Sequence, residues 1–318
     1  MRILVTGAAG FIASHVIERL FEERAHVITG VDNYATGRTD TVAKLSAAAP
    51  QHTFDFHRVD VADASDLQRV FKGARPEIVV HAAASYKNPS DWSEDARSNV
   101  VGTANVAKQS LNHGVQRIIY FQTSLCYGLH PRECPITIAH PVRPEGSTYA
   151  ITKTAAEDII RLSGVPYISF RLANCYGPRN LSGPVPTFYK RLVENQPCFV
   201  VNTRRDFMFV DHLVDLVIRA THGEGETGAY HVSSGGDYSI KELYQAVRKA
   251  LGLPEEEVAE RERSEDDVAT IKLDPVETKK MFRGWEPTTT LEEGVSKAVA
   301  WYRGHEFGET FTHLKLKK

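Results

Sequence analysis

Two side chains with complementary chemistry stand four residues apart: Tyr149 and Lys153, in Ser147-Thr-Tyr-Ala-Ile-Thr-Lys-Thr-Ala-Ala-Glu-Asp158. The stretch reads as a helix, so the pair projects from one face. A phenol is a poor base at its ordinary pKa of about 10, and a lysine cation beside it favours the phenolate and draws it toward working pH. Taken alone, the pair reads as a core-edge tyrosine and a surface lysine. Thr123 and Ser124 add hydroxyls at the end of the apolar run Ile118-Ile-Tyr-Phe121, the edge where ligands of open sheets bind. A hydroxyl there would share a proton with Tyr149 and a substrate.

A second grouping opens the chain. Val5-Thr-Gly-Ala-Ala-Gly-Phe-Ile-Ala13 carries Gly7 and Gly10, with Ala13 where a third glycine often stands. Gly7 permits a tight turn out of a strand, Gly10 lets backbone N–H groups approach a pyrophosphate, and a small residue at position 13 lets the following helix pack closely on the sheet. An apolar strand precedes the turn, an amphipathic helix follows, and Asp32 ends the next strand about 20 residues on, where a carboxylate bonds ribose hydroxyls. The carboxylate would repel the extra phosphate of NADP, so the expected cofactor is NAD. Its contacts are expected from Gly7, Gly10, Phe11 and Ile12, from Asp32, Asn33, Gly37 and Arg38, from Asp60 and Val61 beside the adenine, and from Ala82 and Ala83. Arg38 fits a surface arginine or a pyrophosphate clamp as well. His81, at a buried strand end, reads as a structural histidine rather than a catalytic one.

To hold these groups the chain must alternate strands and helices, and it does. The runs Arg2–Gly7, His26–Asp32, Phe54–Val61, Glu77–Ala84 and Arg117–Ser124 are separated by helix-length amphipathic segments. Continuous apolar runs such as Ile78-Val-Val80 suit a parallel sheet covered on both faces, so the fold class is α/β, a doubly wound Rossmann sheet. Regularity breaks after about Asn180. Residues 1–180 are expected to form the NAD-binding domain carrying Tyr149 and Lys153, and 181–318 a smaller mixed lobe, with elements of the two free to interleave.

Composition removes several alternatives. With 42% hydrophobic and 25% charged residues the chain is an ordinary globular protein, and 38 basic against 40 acidic side chains leave no basic footprint for nucleic acid. Cys126, Cys134, Cys175 and Cys198 lack zinc-site spacing and disulfide density, so no metal is expected and buried thiols are. Met1 leads straight into an apolar strand, and no apolar stretch approaches the length of a membrane span; a cytoplasmic protein is expected.

The Gly-Ala-Ala-Gly turn, Asp32, Asp60, His81-Ala-Ala, Asn99-Val-Val-Gly-Thr, Thr123-Ser-Leu-Cys-Tyr-Gly128, Tyr149-xxx-Lys153, Arg171-Leu-Ala-Asn-Cys-Tyr-Gly-Pro-Arg179 and Arg205-Asp-Phe together resemble the extended short-chain dehydrogenase/reductases of the nucleotide-sugar epimerase and dehydratase group. The likeness runs on through Gly236-Asp-Tyr-Ser-Ile-Lys-Glu-Leu and Gly284-Trp-Glu-Pro. His81–Trp92, Phe121–Gly128 and Pro186–Leu192 are similar to the WbmG-type epimerases of bacterial O-antigen gene clusters. The resemblance implies an NAD that stays bound, oxidises a sugar hydroxyl and returns the hydride. It implies Tyr149 as the base, Lys153 lowering its pKa and holding the nicotinamide ribose, and Thr123 bonding the reacting oxygen with Ser124 beside it. Asn174 and Arg205 would meet the nucleotide diphosphate, Asn99 would support the site next to the cofactor, and Lys87, in a loop over the sugar pocket, would anchor an anionic sugar group or simply face solvent. Arg263 and Asp267 align only with a broken Arg-Pro-Gly-Asp pattern and are not included. The resemblance also implies a homodimer and a nucleotide-diphosphate sugar as substrate, with UDP the nucleotide of commonest use.

One departure narrows the chemistry. The 4,6-dehydratases of the group follow the active-site Thr with Asp-Glu, whereas this chain has Ser124-Leu125, and leucine abstracts no proton. A 4-epimerase is therefore expected. A ketoreductase or dehydratase of the same group is the alternative, and an NAD-binding scaffold the alternative outside catalysis.

Overall fold

Each of the five apolar runs becomes a strand: β1 (Arg2–Thr6), β2 (Val27–Asp32), β3 (Phe54–Arg58), β4 (Ile78–His81) and β5 (Arg117–Thr123), joined by β6 (Tyr167–Leu172). The computed structural model describes residues 1–263, 267–306, 308 and 310. The strands lie parallel in a seven-stranded sheet ordered β3-β2-β1-β4-β5-β6, with Gly228–Val232 beyond β6. Strand order reverses between β1 and β4, and a crevice opens there at the carboxyl ends.

Alternation along the strands divides the core. Ile3 and Val5 of β1 join the cluster under α1 (Phe11–Glu23), while Leu4 joins the cluster under α3 (Ala64–Ala74) on the other face. All of β4 is buried, as a strand covered on both faces must be. Helix α1 buries Ala13, Val16, Ile17, Leu20 and Phe21, a stripe at 3–4-residue spacing, and each side chain larger than Ala13 contributes about 1.5–3 kcal/mol. Asp63 starts α3 by accepting from the amides of Ser65 and Asp66, and Ser147 starts the helix Thr148–Leu162 by accepting from Ala150.

The second half of the chain does not keep to itself. Strand Gly228–Val232 pairs with β6 in the main sheet, the helix Val210–Thr221 packs on α1, and Asn174–Tyr176 pairs with Phe207–Phe209. The boundary at residue 180 thus falls within interleaved elements. The lobe proper is built from short pairings, Phe199–Val201 with Ala259–Arg261 and Arg204–Arg205 with Tyr238–Ser239 and Thr270–Ile271. Of the expected buried thiols, Cys126 is buried and Cys175 and Cys198 are half-buried, but Cys134 is exposed because it lies on a loop just before Pro135. Among the described residues no helix is long and apolar enough to cross a membrane.

Candidate active site

A cleft of about 1670 Å³ runs along the carboxyl ends of the strands and is lined by Gly7, Gly10, Phe11, Ile12, Asp32, Asn33, Ala82 and Ala83 at one end. Gly7 has φ +68, and a Cβ there would lie 2.8 Å from the Ala83 amide nitrogen and 2.9 Å from the Ala82 carbonyl carbon. The turn is therefore wedged against the exit of β4, and only glycine fits. Asp32 is buried and accepts from the amides of Ala9 (3.0 Å) and Tyr34 (2.6 Å). Burial raises its pKa and those two amides oppose the rise. Gly37 stands off the cleft wall; its bare Cα is what lets α2 (Thr39–Ala48) start against Asp32, since a Cβ would come within 2.9 Å of the carboxylate.

Three expected cofactor contacts are engaged elsewhere and stand behind or beside the wall. The Arg38 guanidinium pairs with Asp40 at 2.8 and 2.7 Å and reaches the Glu306 carbonyl. Asp60 accepts from Ala62, Asn33 and Arg97; burial pulls its pKa upward, but those bonds outweigh it and hold the carboxyl below the usual range. Val59 and Val61 on either side of it line the cleft instead. Asn99 is fully buried, its amide bonding both the amide and carbonyl of Ser85 and the Thr152 hydroxyl. It ties the loop over the cleft to the helix carrying Tyr149. It lies in a π-helical stretch, Ala96–Val101, in a run that continues as Gly102–Asn112, and such widened turns occur often at functional sites. His81 is wholly buried between the hydroxyls of Thr6 (2.7 Å) and Thr103 (2.9 Å), and burial lowers its pKa to about 3, so it is a neutral structural group.

Tyr149, Lys153, Thr123, Ser124 and Leu125 line the middle of the same cleft. Tyr149 stands on the first turn of the helix Thr148–Leu162, and Lys153 one turn on, with its Nζ 4.0 Å from the Tyr120 ring centroid. Tyr120 and Gln122 of β5 both donate to the Lys153 carbonyl at 3.0 Å, fixing the helix on the strand. Burial lowers the Lys153 pKa to about 7, against the pull of Glu157. Glu157 itself accepts from Arg171 at 2.9 and 3.2 Å. Burial also pushes the Tyr149 phenol above its ordinary value, with Tyr86 and Asp95 adding to the rise. Desolvation thus outweighs the lowering of Tyr149 that its lysine neighbour was expected to give. The Thr123 hydroxyl accepts from the Leu125 amide at 3.2 Å and caps the short turn Ser124–Tyr127.

At the far end the cleft is lined by Lys87, Asn174 and Arg205. Lys87 is exposed, and the Asn174 side chain donates to the Asp206 carbonyl. Arg205 donates to Asp267 Oδ1 at 2.7 Å and to the carbonyls of Arg204 and Ala269, so Asp267, set aside on sequence, is its anchor. Arg191, Phe199 and Arg261 also line this end and were not foreseen: they come from three separate segments, and the Arg261 guanidinium stacks 3.9 Å over Phe199. No local spacing could have announced that group.

Residues 3–233 match the model of the NAD dependent epimerase/dehydratase family. The chain belongs to that family. This epimerase/dehydratase chain is 32% identical to the UDP-glucose 4-epimerase of Mycolicibacterium smegmatis, over 95% of its own length and 99% of the relative's. Among solved structures it is similar to the Bordetella bronchiseptica enzyme WbmH in complex with NAD+, with 44% identity, a TM-score of 0.88, and coverage of 95% of this chain and 98% of that one. It is also similar to WbmG of the same organism, in complex with NAD and UDP, with 40% identity, a TM-score of 0.87, and coverage of 99% and 97%. NAD is the cofactor of this epimerase/dehydratase, and its residues fit that group: a glycine turn with no room for a side chain, and a buried carboxylate at the end of β2.

Proposed function

We propose that the protein is a nucleotide-sugar 4-epimerase, working in the cytoplasm on a UDP-sugar through a transient 4-keto sugar. The observation that carries this reading is the company Tyr149 keeps: Thr123, Ser124 and Lys153 line its cleft, and Leu125 stands there where a dehydratase has its base. NAD, when bound against Gly7, Gly10 and Asp32, supplies a hydride acceptor that later gives the hydride back. Tyr149 Oη takes the proton of the sugar's 4-hydroxyl while Thr123 Oγ1 hydrogen-bonds the same oxygen, and the C4–H bond breaks to leave a ketone. Lys153 would hold the cofactor ribose beside Tyr149. After the keto sugar turns its other face, Tyr149 returns the proton to the reformed hydroxyl. A cleft of about 1670 Å³ gives room for that turn. Arg205, braced by Asp267, presents a guanidinium suited to the diphosphate. UDP is favoured by the UDP in the WbmG complex and in the name of the mycobacterial relative. The reading extends to a homodimer through Gly102–Asn112 and Thr148–Leu162, where Leu111, Ile151 and Leu162 stand exposed.

The deciding experiment incubates the purified protein with UDP-, dTDP- and GDP-sugars, uronic and N-acetylated ones included. A product of unchanged mass with inverted couplings at C4 in its NMR spectrum is expected. Loss of a water or carbon dioxide mass, or net consumption of NADH, would overturn the epimerase reading in favour of a dehydratase, decarboxylase or ketoreductase.

A further inference from the structure

Away from the cleft, at the amino end of β2, three potential metal ligands converge. Glu23 closes α1, His26 stands just before β2, and His222 follows directly on the helix Val210–Thr221. Both imidazoles turn Nε2 toward the Glu23 carboxylate: His222 lies 2.9 Å from Oε2 and 3.0 Å from Oε1, and His26 bonds Oε2. One ligand atom from each residue lies within 4.8 Å of the others. The group grades outward, with His26 buried, Glu23 half-buried and His222 exposed, so one side is open to solvent. His26 Nδ1 is buried without a hydrogen-bond partner.

We propose that Glu23, His26 and His222 bind a divalent transition ion of the zinc class. Two imidazoles and one carboxylate, with remaining positions open to water, are the donor set such ions prefer, whereas magnesium and calcium select all-oxygen sites. Bonds of about 2.0–2.2 Å to a tetrahedral ion set its ligand atoms roughly 3.3 Å apart, so His222 and Glu23 need spread by only a few tenths of an ångström, while His26 must give up its closer hydrogen bond to Glu23 and move further. The ion would clip the corner between α1 and β2 to the end of the helix Val210–Thr221, joining residues 199 positions apart. That separation, and the absence of cysteine from the set, hide the site from any reading of local spacing.

The test uses tag-free, chelator-stripped protein with NAD present, titrated with zinc chloride by calorimetry and with cobalt(II) by visible absorption. One ion per chain is expected, with a Tm that rises with zinc concentration. His222→Ala, which changes an exposed ring, is expected to keep the fold by circular dichroism, to lose at least tenfold in zinc affinity, and to abolish the Tm rise; His26→Gln should do the same. His130→Ala, at an exposed histidine outside the cluster, should bind as the parent does. Absence of zinc binding above the buffer control, or binding undiminished in His222→Ala, overturns the proposal.

Discussion

Tyr149 and Lys153 show how much a residue's chemistry depends on what encloses it. Buried, the phenol is raised and the lysine lowered to about 7, so proton transfer between sugar and Tyr149 depends on groups that arrive with the substrate complex. Tyr149→Phe removes the proton acceptor and is expected to reduce kcat by about 10²–10⁴-fold with the fold and NAD content unchanged, as stopped assays with the active UDP-sugar would read. A kcat within twofold of the parent would remove Tyr149 from the chemistry. Lys153 yields a stability prediction of definite sign. Between about pH 7 and its ordinary 10.5 the lysine is neutral when folded and charged when unfolded, so the unfolded chain binds the extra proton and stability climbs with pH across that window. Urea midpoints of the parent should therefore rise from about pH 7 to pH 9 relative to those of Lys153→Met, and parallel curves would show that the lysine keeps its charge on folding. The central residues were legible in the sequence, since Gly7, Asp32, Thr123, Tyr149 and Lys153 meet in one cleft. The partners that Arg38 and Asp60 take in the protein were not legible, for a physical reason. Spacing tells which strand end a side chain occupies, but not that Asp40 or Arg97 will claim it first.

The elements explain why those residues meet. Strands buried on both faces must be largely apolar, which is why β1, β2, β4 and β5 could be read from sequence alone, whereas β3 is an edge strand that alternates Phe54 and Phe56 with polar residues. Strand Gly228–Val232 is a Gly-Ala-Tyr-His-Val segment with no sign of which sheet it enters, so its place beside β6 had to come from the structure. The glycine turn is where one element constrains another most tightly. Gly7→Ala is expected to cost about 1–3 kcal/mol of stability from backbone strain alone, and to weaken NAD binding at least tenfold as the turn backs away from β4. Thermal melts and NAD titration of the variant check this, and a parent-like affinity would mean the turn relaxes without loss. The Ala9 amide, donating to Asp32 Oδ2, ties the turn to β2 as well.

At the scale of the whole molecule, the exposed Leu111, Ile151 and Leu162 lie on the two helices that flank β5, and the proposed dimer covers them. The chain has a mass of 35.4 kDa, and light scattering after gel filtration should give about twice that, falling to the single-chain value in Ile151→Glu. A parent that runs as a monomer would leave those side chains without that partner. The cleft itself is a whole-molecule object, with one end on the sheet and the other on segments far apart in the chain, which is why Arg191, Phe199 and Arg261 of its far wall escaped sequence reading.

The wedge of Gly7 against Ala82 and Ala83 also sets a timetable for synthesis. The glycine-rich motif is complete once α1 has left the ribosome, yet the surface that presses it into shape is made only after β4 has emerged and slid in beside β1. A nascent chain cut short before residue 78 would display the whole dinucleotide fingerprint and grip no dinucleotide.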